Sequence, residues 1–154
     1  MNIGLNIADG VRVRIGDKLD DVTASMDKHN VIYTIPYRAE SNGDINIVMF
    51  MEECGVELNI VNEMIVFIKS NNSESNYIMQ LMEGMTPIEA LNQIRENLAT
   101  SFNINKSDIR IDRFDGRSLN SMLSIPLTTT MKIKLELIMG LQNKIYLHSL
   151  ELSR

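Results

Sequence analysis

Four glutamates, Glu52, Glu53, Glu57 and Glu63, are the side chains of this sequence with most chemistry to offer. Glu52-Glu53 interrupts two apolar runs, Glu57 alternates away from Val56 and Leu58, and Glu63 follows Asn62 at a bend. Carboxylates spaced in this way gather at the ends and on the open side of a sheet. There they can receive the basic side chains of a partner protein, because opposed fields speed encounter and select the partner. An ordinary solvated face, serving solubility, uses the same residues. The excess of acid is regional: residues 39–94 hold nine acids and one base, while the preceding part is balanced and the following part carries +3, so the net charge of −5 comes from the middle.

A second set, Asp112, Asp115, Tyr146 and His148, could line the pocket of an enzyme or small-molecule-binding domain. The bland reading of each is stronger. In IRIDRFDGR, Arg110, Arg113 and Arg117 alternate with Asp108, Asp112 and Asp115, and arginines so placed neutralise carboxylates rather than leave them for magnesium or calcium. Strict strand parity in KIYLHSLEL puts His148 on the face of Tyr146, Leu150 and Leu152, as a partly buried, satisfied histidine. His29 follows a helix, where a cation near the carboxyl end is mildly favourable. Cys54 lies in an apolar context and reads as a reduced core residue.

The absences narrow the function further. One Cys and two separated His offer no zinc spacing. Gly4, Gly10 and Gly16 lack the strand-loop-helix context of a phosphate loop, and no nucleophile elbow occurs. A sequence pI near 5.0 opposes direct nucleic-acid binding. No apolar run approaches the ~20 residues that span a bilayer, and the opening MNIGLNIADGVRVRIG has no basic leader or cleavage pattern. The expectation is a cytoplasmic binding protein and not an enzyme, with no cofactor, no catalytic residue, no metal and no membrane partner.

The elements that position these residues follow from periodicity. At 154 residues, with 44% hydrophobic and 23% charged residues, the chain fits a single domain spanning residues 1–154. Ile3, Leu5 and Ile7, then Ala8-Asp9-Gly10, then Val11, Val13 and Ile15 predict a hairpin. A helix over about 17–28 follows, capped by Asp17, with Leu19, Val22 and Met26 on one face. VIYTIPY reads as a strand, with Pro36 marking an edge or an end. DINIVMFM follows the turn Ser41-Asn42-Gly43, and VELNIV and MIVFIK form a hairpin bent at Asn62-Glu63. SNNSESN is a loop and Tyr77, Met79 and Leu81 begin a short strand. Thr86-Pro87-Ile88-Glu89 spells a capping box for a helix over about 87–100, with an apolar stripe of Ile88, Leu91, Ile94 and Leu98. DIRIDRF, SLNSMLSI, TMKIKLELIM and KIYLHSLEL complete the strands, with turns at Asp115-Gly116 and Asn143-Lys144. The fold class is α+β, a largely antiparallel sheet built from hairpins with two main helices. IGDKLDDVTASM parallels EGMTPIEALNQI, and VELNIVNEMIVFI parallels KLELIMGLQNKIYLHSL, a weak two-fold internal repeat that two similar answers to one packing problem would also produce.

A small acidic α+β chain without a catalytic constellation resembles the immunity proteins that bacteria make against their own secreted or contact-delivered toxins. The resemblance is one of type, carried by IGDKLDDV and EGMTPIEAL where the helices begin, by the hairpin GVELNIVNEMIVFI, and by the acid-rich charge balance. It implies an antitoxin that binds and neutralises a cognate toxin, a nuclease with a basic cleft, presenting Glu52, Glu53, Glu57 and Glu63 where phosphates would lie. The glycine-cap-helix repeat is also similar to small outer-membrane assembly lipoproteins and beta-lactamase inhibitors, which bind proteins too, though this chain lacks their signal and lipidated Cys. Exposed edges on so many short strands would also allow a homodimer.

Overall fold

A computed structural model describes residues 4–8, 10–71, 77–117 and 119–154 of the chain. Ile3 and Asp9 of the expected first hairpin, and residues 72–76 of the expected polar loop, with Glu74, lie outside the described residues. Among the described residues the architecture is α+β, with two α-helices and antiparallel strands. Two compact units divide the chain: Met1–Asn72 with Glu151–Arg154, and Ser73–Leu150.

In the first unit, β1 (Gly4–Ala8) and β2 (Val11–Arg14) pair antiparallel with Leu5 opposite Val13, and Ile7, Val11 and Val13 are buried, as their alternation demands. Gly10, at φ +82°, is fixed by its surroundings as well as its backbone. A Cβ there would lie 2.5 Å from Nε2 of His29, whose Nδ1–H donates to the Ser25 carbonyl at 2.9 Å. Helix α1 (Leu19–Lys28) buries Val22 and Met26. It starts later than Asp17 because the backbone before it is held extended: Gly16 N–H donates to Ile65, Ile65 N–H to Asp17, and Leu19 N–H to Glu63. Asp17 therefore does not cap the helix; its Oδ2 accepts from Arg14 N–H at 2.9 Å, and Lys18 holds the N-cap position without a side-chain bond.

Four strands follow in an antiparallel meander, β3 (Thr34–Ser41), β4 (Asp44–Met51), β5 (Val56–Val61) and β6 (Met64–Ser70), in that spatial order. β3 begins at Thr34 rather than at Val31 and runs on to Ser41; Pro36 sits within it, tolerated because this is the edge. Asn42-Gly43 and Asn62-Glu63 both take positive φ at both central residues, the two-residue turn whose twist suits a hairpin. Ile47, Met49, Met51, Val56, Leu58, Ile60, Ile65 and Ile68 are buried, each contributing roughly 1.5–3 kcal/mol of burial free energy.

The second unit begins with β7 (Tyr77–Gln80) and helix α2 (Pro87–Phe102). Both halves of the expected capping box form: Glu89 N–H donates to Thr86 Oγ1 at 3.4 Å, and Thr86 N–H donates to Glu89 Oε2 at 3.3 Å. Ala90, Leu91, Ile94 and Ala99 are buried, whereas Ile88 is 41% exposed and does not belong to the stripe. Three-residue steps slip by about 60° each, so Ile88 lies about 120° round the helix from Ile94. A short 3-10 turn, Lys106–Asp108, leads into β8 (Arg110–Asp115), β9 (Asn120–Pro126), β10 (Lys132–Met139) and β11 (Lys144–Ser153). These pair in sequence order, with β7 beside β11, and residues 144–150 of β11 belong to this unit. The last bend spans Leu141–Asn143 with positive φ at Gln142 and Asn143, and Lys144 already belongs to the strand.

Each unit thus contains a helix followed by four strands that pair in chain order, and a glycine at positive φ, Gly16 or Gly84, precedes each helix. The repeat read from the sequence exists as repeated architecture.

Candidate functional site

The four expected carboxylates do not form one rim. Glu52 and Glu53 are exposed in the turn that joins β4 to β5, a tight loop closed by Gly55 N–H donating to Glu52 O at 3.3 Å and Asn71 N–H to Gly55 O at 2.9 Å. Glu63 is exposed at the other end of β5, which at ~3.3 Å per residue lies roughly 20 Å away. Glu57 is half-buried within β5, opposite Lys69 of β6, and Lys69 Nζ lies 3.7 Å from Glu151. Of the four, only Glu52 and Glu53 are neighbours, and both are exposed with no ion-pair partner among the described residues.

Beside them the chain builds something the sequence did not announce. Ile32, Tyr33, Thr34, Phe50, Glu52 and Glu53 line a groove of about 420 Å³. Phe50 is placed by β4, opposite Thr34 of β3, whose hydroxyl donates to the Phe50 carbonyl at 3.5 Å. Ile32 is 70% exposed, an unusual position for so apolar a side chain. The available signal was the conflict in VIYTIPY: a β-prone run followed by a proline, where the pairing of β3 is irregular between Thr34 and Tyr37 and residues 31–33 leave the sheet. The groove has apolar and aromatic walls, two carboxylates at its rim and, among the described residues, no base in its lining. That is the complement of a lysine or arginine side chain, whose stem takes the apolar wall and ring faces while its cation meets the carboxylates.

Nearby Cys54 is half-buried, and burial pushes its thiol up, against the lowering effect of backbone hydrogen bonds. That is the opposite of an activated nucleophile.

The second set of residues is not gathered. In the second unit β8 and β11 are separated by β9 and β10, so Asp112 and Asp115 lie three strand spacings, roughly 14 Å, from Tyr146 and His148. Asp112 accepts from the Ser124 hydroxyl and from Arg110 Nη2, the latter at 3.2 Å. The Ser124 hydrogen bond first, and Arg110 after it, hold the Asp112 carboxyl below its ordinary value, while partial burial opposes them. Arg113 turns instead to Glu136, at 2.6 Å, and Asp115 accepts the backbone N–H of Arg117 at 3.1 Å. Tyr146 packs edge-on to Tyr77, ring centroids 6.1 Å apart, and fills the space that a Cβ on Gly140 would need. His148 is exposed, not partly buried: the strand buries its other face, that of Ile145 and Ser149, and leaves His148 on the more open one. Among the described residues no group of three His, Cys, Asp or Glu side chains is placed to hold a metal ion.

One more concavity lies wholly in the second unit: an apolar cleft of about 320 Å³ whose lining includes Ile94, Leu98 and Phe102 of α2 and Ile133, Leu135 and Leu137 of β10. No helix among the described residues is long and apolar enough to cross a membrane. Comparison of the chain with family models, curated proteins and solved structures finds no match.

Proposed function

We propose that this chain is an immunity-type binding protein of the cytoplasm, which neutralises a basic bacterial toxin by receiving a lysine or arginine of that toxin in the groove of Ile32, Tyr33, Phe50, Glu52 and Glu53. The observation that carries this reading is the pair Glu52-Glu53, exposed and unneutralised at the rim of an aromatic-walled groove. Two adjacent carboxylates without partners repel each other and lower the chain's own stability, a cost that a bound cation removes. Glu57, facing Lys69, and Glu63, at the far turn, take no part in this contact. A nuclease, whose basic cleft is shaped for phosphates, is the class of toxin such a surface would meet. The test is growth protection: the protein encoded by the neighbouring reading frame is expressed in cells with the native chain or with Glu52→Lys and Glu53→Lys together. Protection by the native chain and its loss in the double variant support the reading; equal protection by both places the contact elsewhere.

A second reading, binding of a small apolar molecule, is favoured by the cleft beneath α2, whose aliphatic and aromatic walls are those of a ligand pocket with few polar groups. Native mass spectrometry of the purified chain, with a bound apolar metabolite lost in Leu135→Trp, would support it.

A further inference from the structure

The outer edge of β3 is the open edge of the first unit's meander, and β3 is exposed along nearly its whole length. Its register shows which backbone groups face outward. Ile45 spends both its groups on the β5 side: its N–H donates to Asn62 Oδ1 at 3.0 Å and its carbonyl accepts Asn62 N–H at 3.0 Å. Ile45 is the cross-strand partner of Glu40. In an antiparallel ladder, a residue whose partner bonds to the other side turns its own groups the other way. The N–H and C=O of Glu40 therefore face away from β4, and by alternation so do those of Arg38, opposite Ile47, since pairing is regular from Tyr37 to Ser41. Earlier in the strand the edge is closed, because Pro36 has no N–H and the register slips between Thr34 and Tyr37. What stays open is a short run with one base and one acid two positions apart. Both side chains are exposed, and neither has an ion-pair partner among the described residues.

We propose that two copies of this chain pair antiparallel along the outer edge of β3, about a two-fold axis through Ala39. In this register Arg38 of each copy faces Glu40 of the other, so their outward backbone groups exchange hydrogen bonds and their side chains form an ion pair on each side of the axis. The charges select the register. Centred on Arg38 the strands would set arginine against arginine, centred on Glu40 glutamate against glutamate, and a shift by half that step would set outward groups against inward ones. Pairing along 38–40 leaves Ile32, Tyr33 and Phe50 outside the contact, so the proposal stands apart from the proposed toxin contact.

The test is sedimentation of the full chain from micromolar to millimolar concentration. A dimer is expected. Arg38→Glu alone and Glu40→Arg alone each place like charges across the axis twice and weaken it about tenfold, and the two changes together restore it. A second measurement leaves these charges intact: Ala39→Cys in a Cys54→Ala background brings the two new thiols together at a non-hydrogen-bonded pair, where Cα atoms lie about 4.5 Å apart, within disulfide range. Mild oxidation then gives a covalent dimer. A chain that stays monomeric throughout, a dimer indifferent to the single charge reversals, or a cysteine variant that does not cross-link would each overturn the proposal.

Discussion

Glu63 occupies a backbone position that suits a different residue. In the turn between β5 and β6, Asn62 and Glu63 have φ of 49° and 65°. Asn62 tolerates this and reinforces it, accepting from Ile45 N–H at 3.0 Å and donating from Nδ2 to Asp44 at 2.7 Å. Glu63 has no such compensation: a glutamate in the left-handed region costs about 1–2 kcal/mol. Replacement by glycine removes that cost and returns about 0.5–1 kcal/mol through the greater freedom of glycine in the unfolded chain. The net expectation for Glu63→Gly is a gain of about 0.5–1 kcal/mol. In a chain of this length that is a rise of about 1–4 °C in melting temperature and of about 0.2–0.5 M in urea midpoint at unchanged m-value. Circular dichroism during thermal and urea unfolding measures both, with Asn62→Ala as a control expected to lose about 2 kcal/mol with its two hydrogen bonds. A fall in both midpoints for Glu63→Gly would refute the reasoning, since it would mean that the carboxylate, not the backbone, is what the turn uses. Toxin protection should be unchanged in the same variant.

Other expectations follow from equally local features. Thr86→Ala opens the capping box of α2 and should lower stability by about 1 kcal/mol in urea titration, while Thr86→Ser retains most of it. Asp112 is held below its ordinary value of 3.8 by Ser124 and then Arg110, so its contribution to stability is present above that pH and is lost as pH falls through the lower folded value. Ser124→Ala should therefore be less stable than the native chain at neutral pH, and the gap between their urea midpoints should narrow below about pH 4.

Local signals made much of the fold legible. The capping box at Thr86 was readable because its chemistry is complete within four consecutive residues, and the hairpin of β5 and β6 because the period-two burial of β5 runs straight into an asparagine bend. The misreadings share a cause in distant partners. Asp17 has the chemistry of a cap, but the backbone of Gly16 and Asp17 is taken by Ile65, and alternation alone does not say which face of β11 is covered, which is that of Ile145 and Ser149 rather than that of His148. The site was harder. That Glu52 and Glu53 are exposed followed from their place between apolar runs, but that Glu57 faces Lys69 required the register of β5 on β6. The groove itself joins Ile32 and Tyr33 to Phe50 across the β3–β4 pairing, and no spacing in the sequence encodes that meeting.

The central claim is that Glu52 and Glu53 receive a basic side chain, and its most direct measurement is a calorimetric titration. The native chain and the Glu52→Lys, Glu53→Lys variant are each titrated with the purified product of the neighbouring reading frame, at low and high salt. The native chain should bind, and bind more weakly as salt rises. The variant should lose at least about thirtyfold in affinity, the equivalent of about 2 kcal/mol for a charge contact reversed. Equal affinity of the two chains at both salt concentrations would contradict the account.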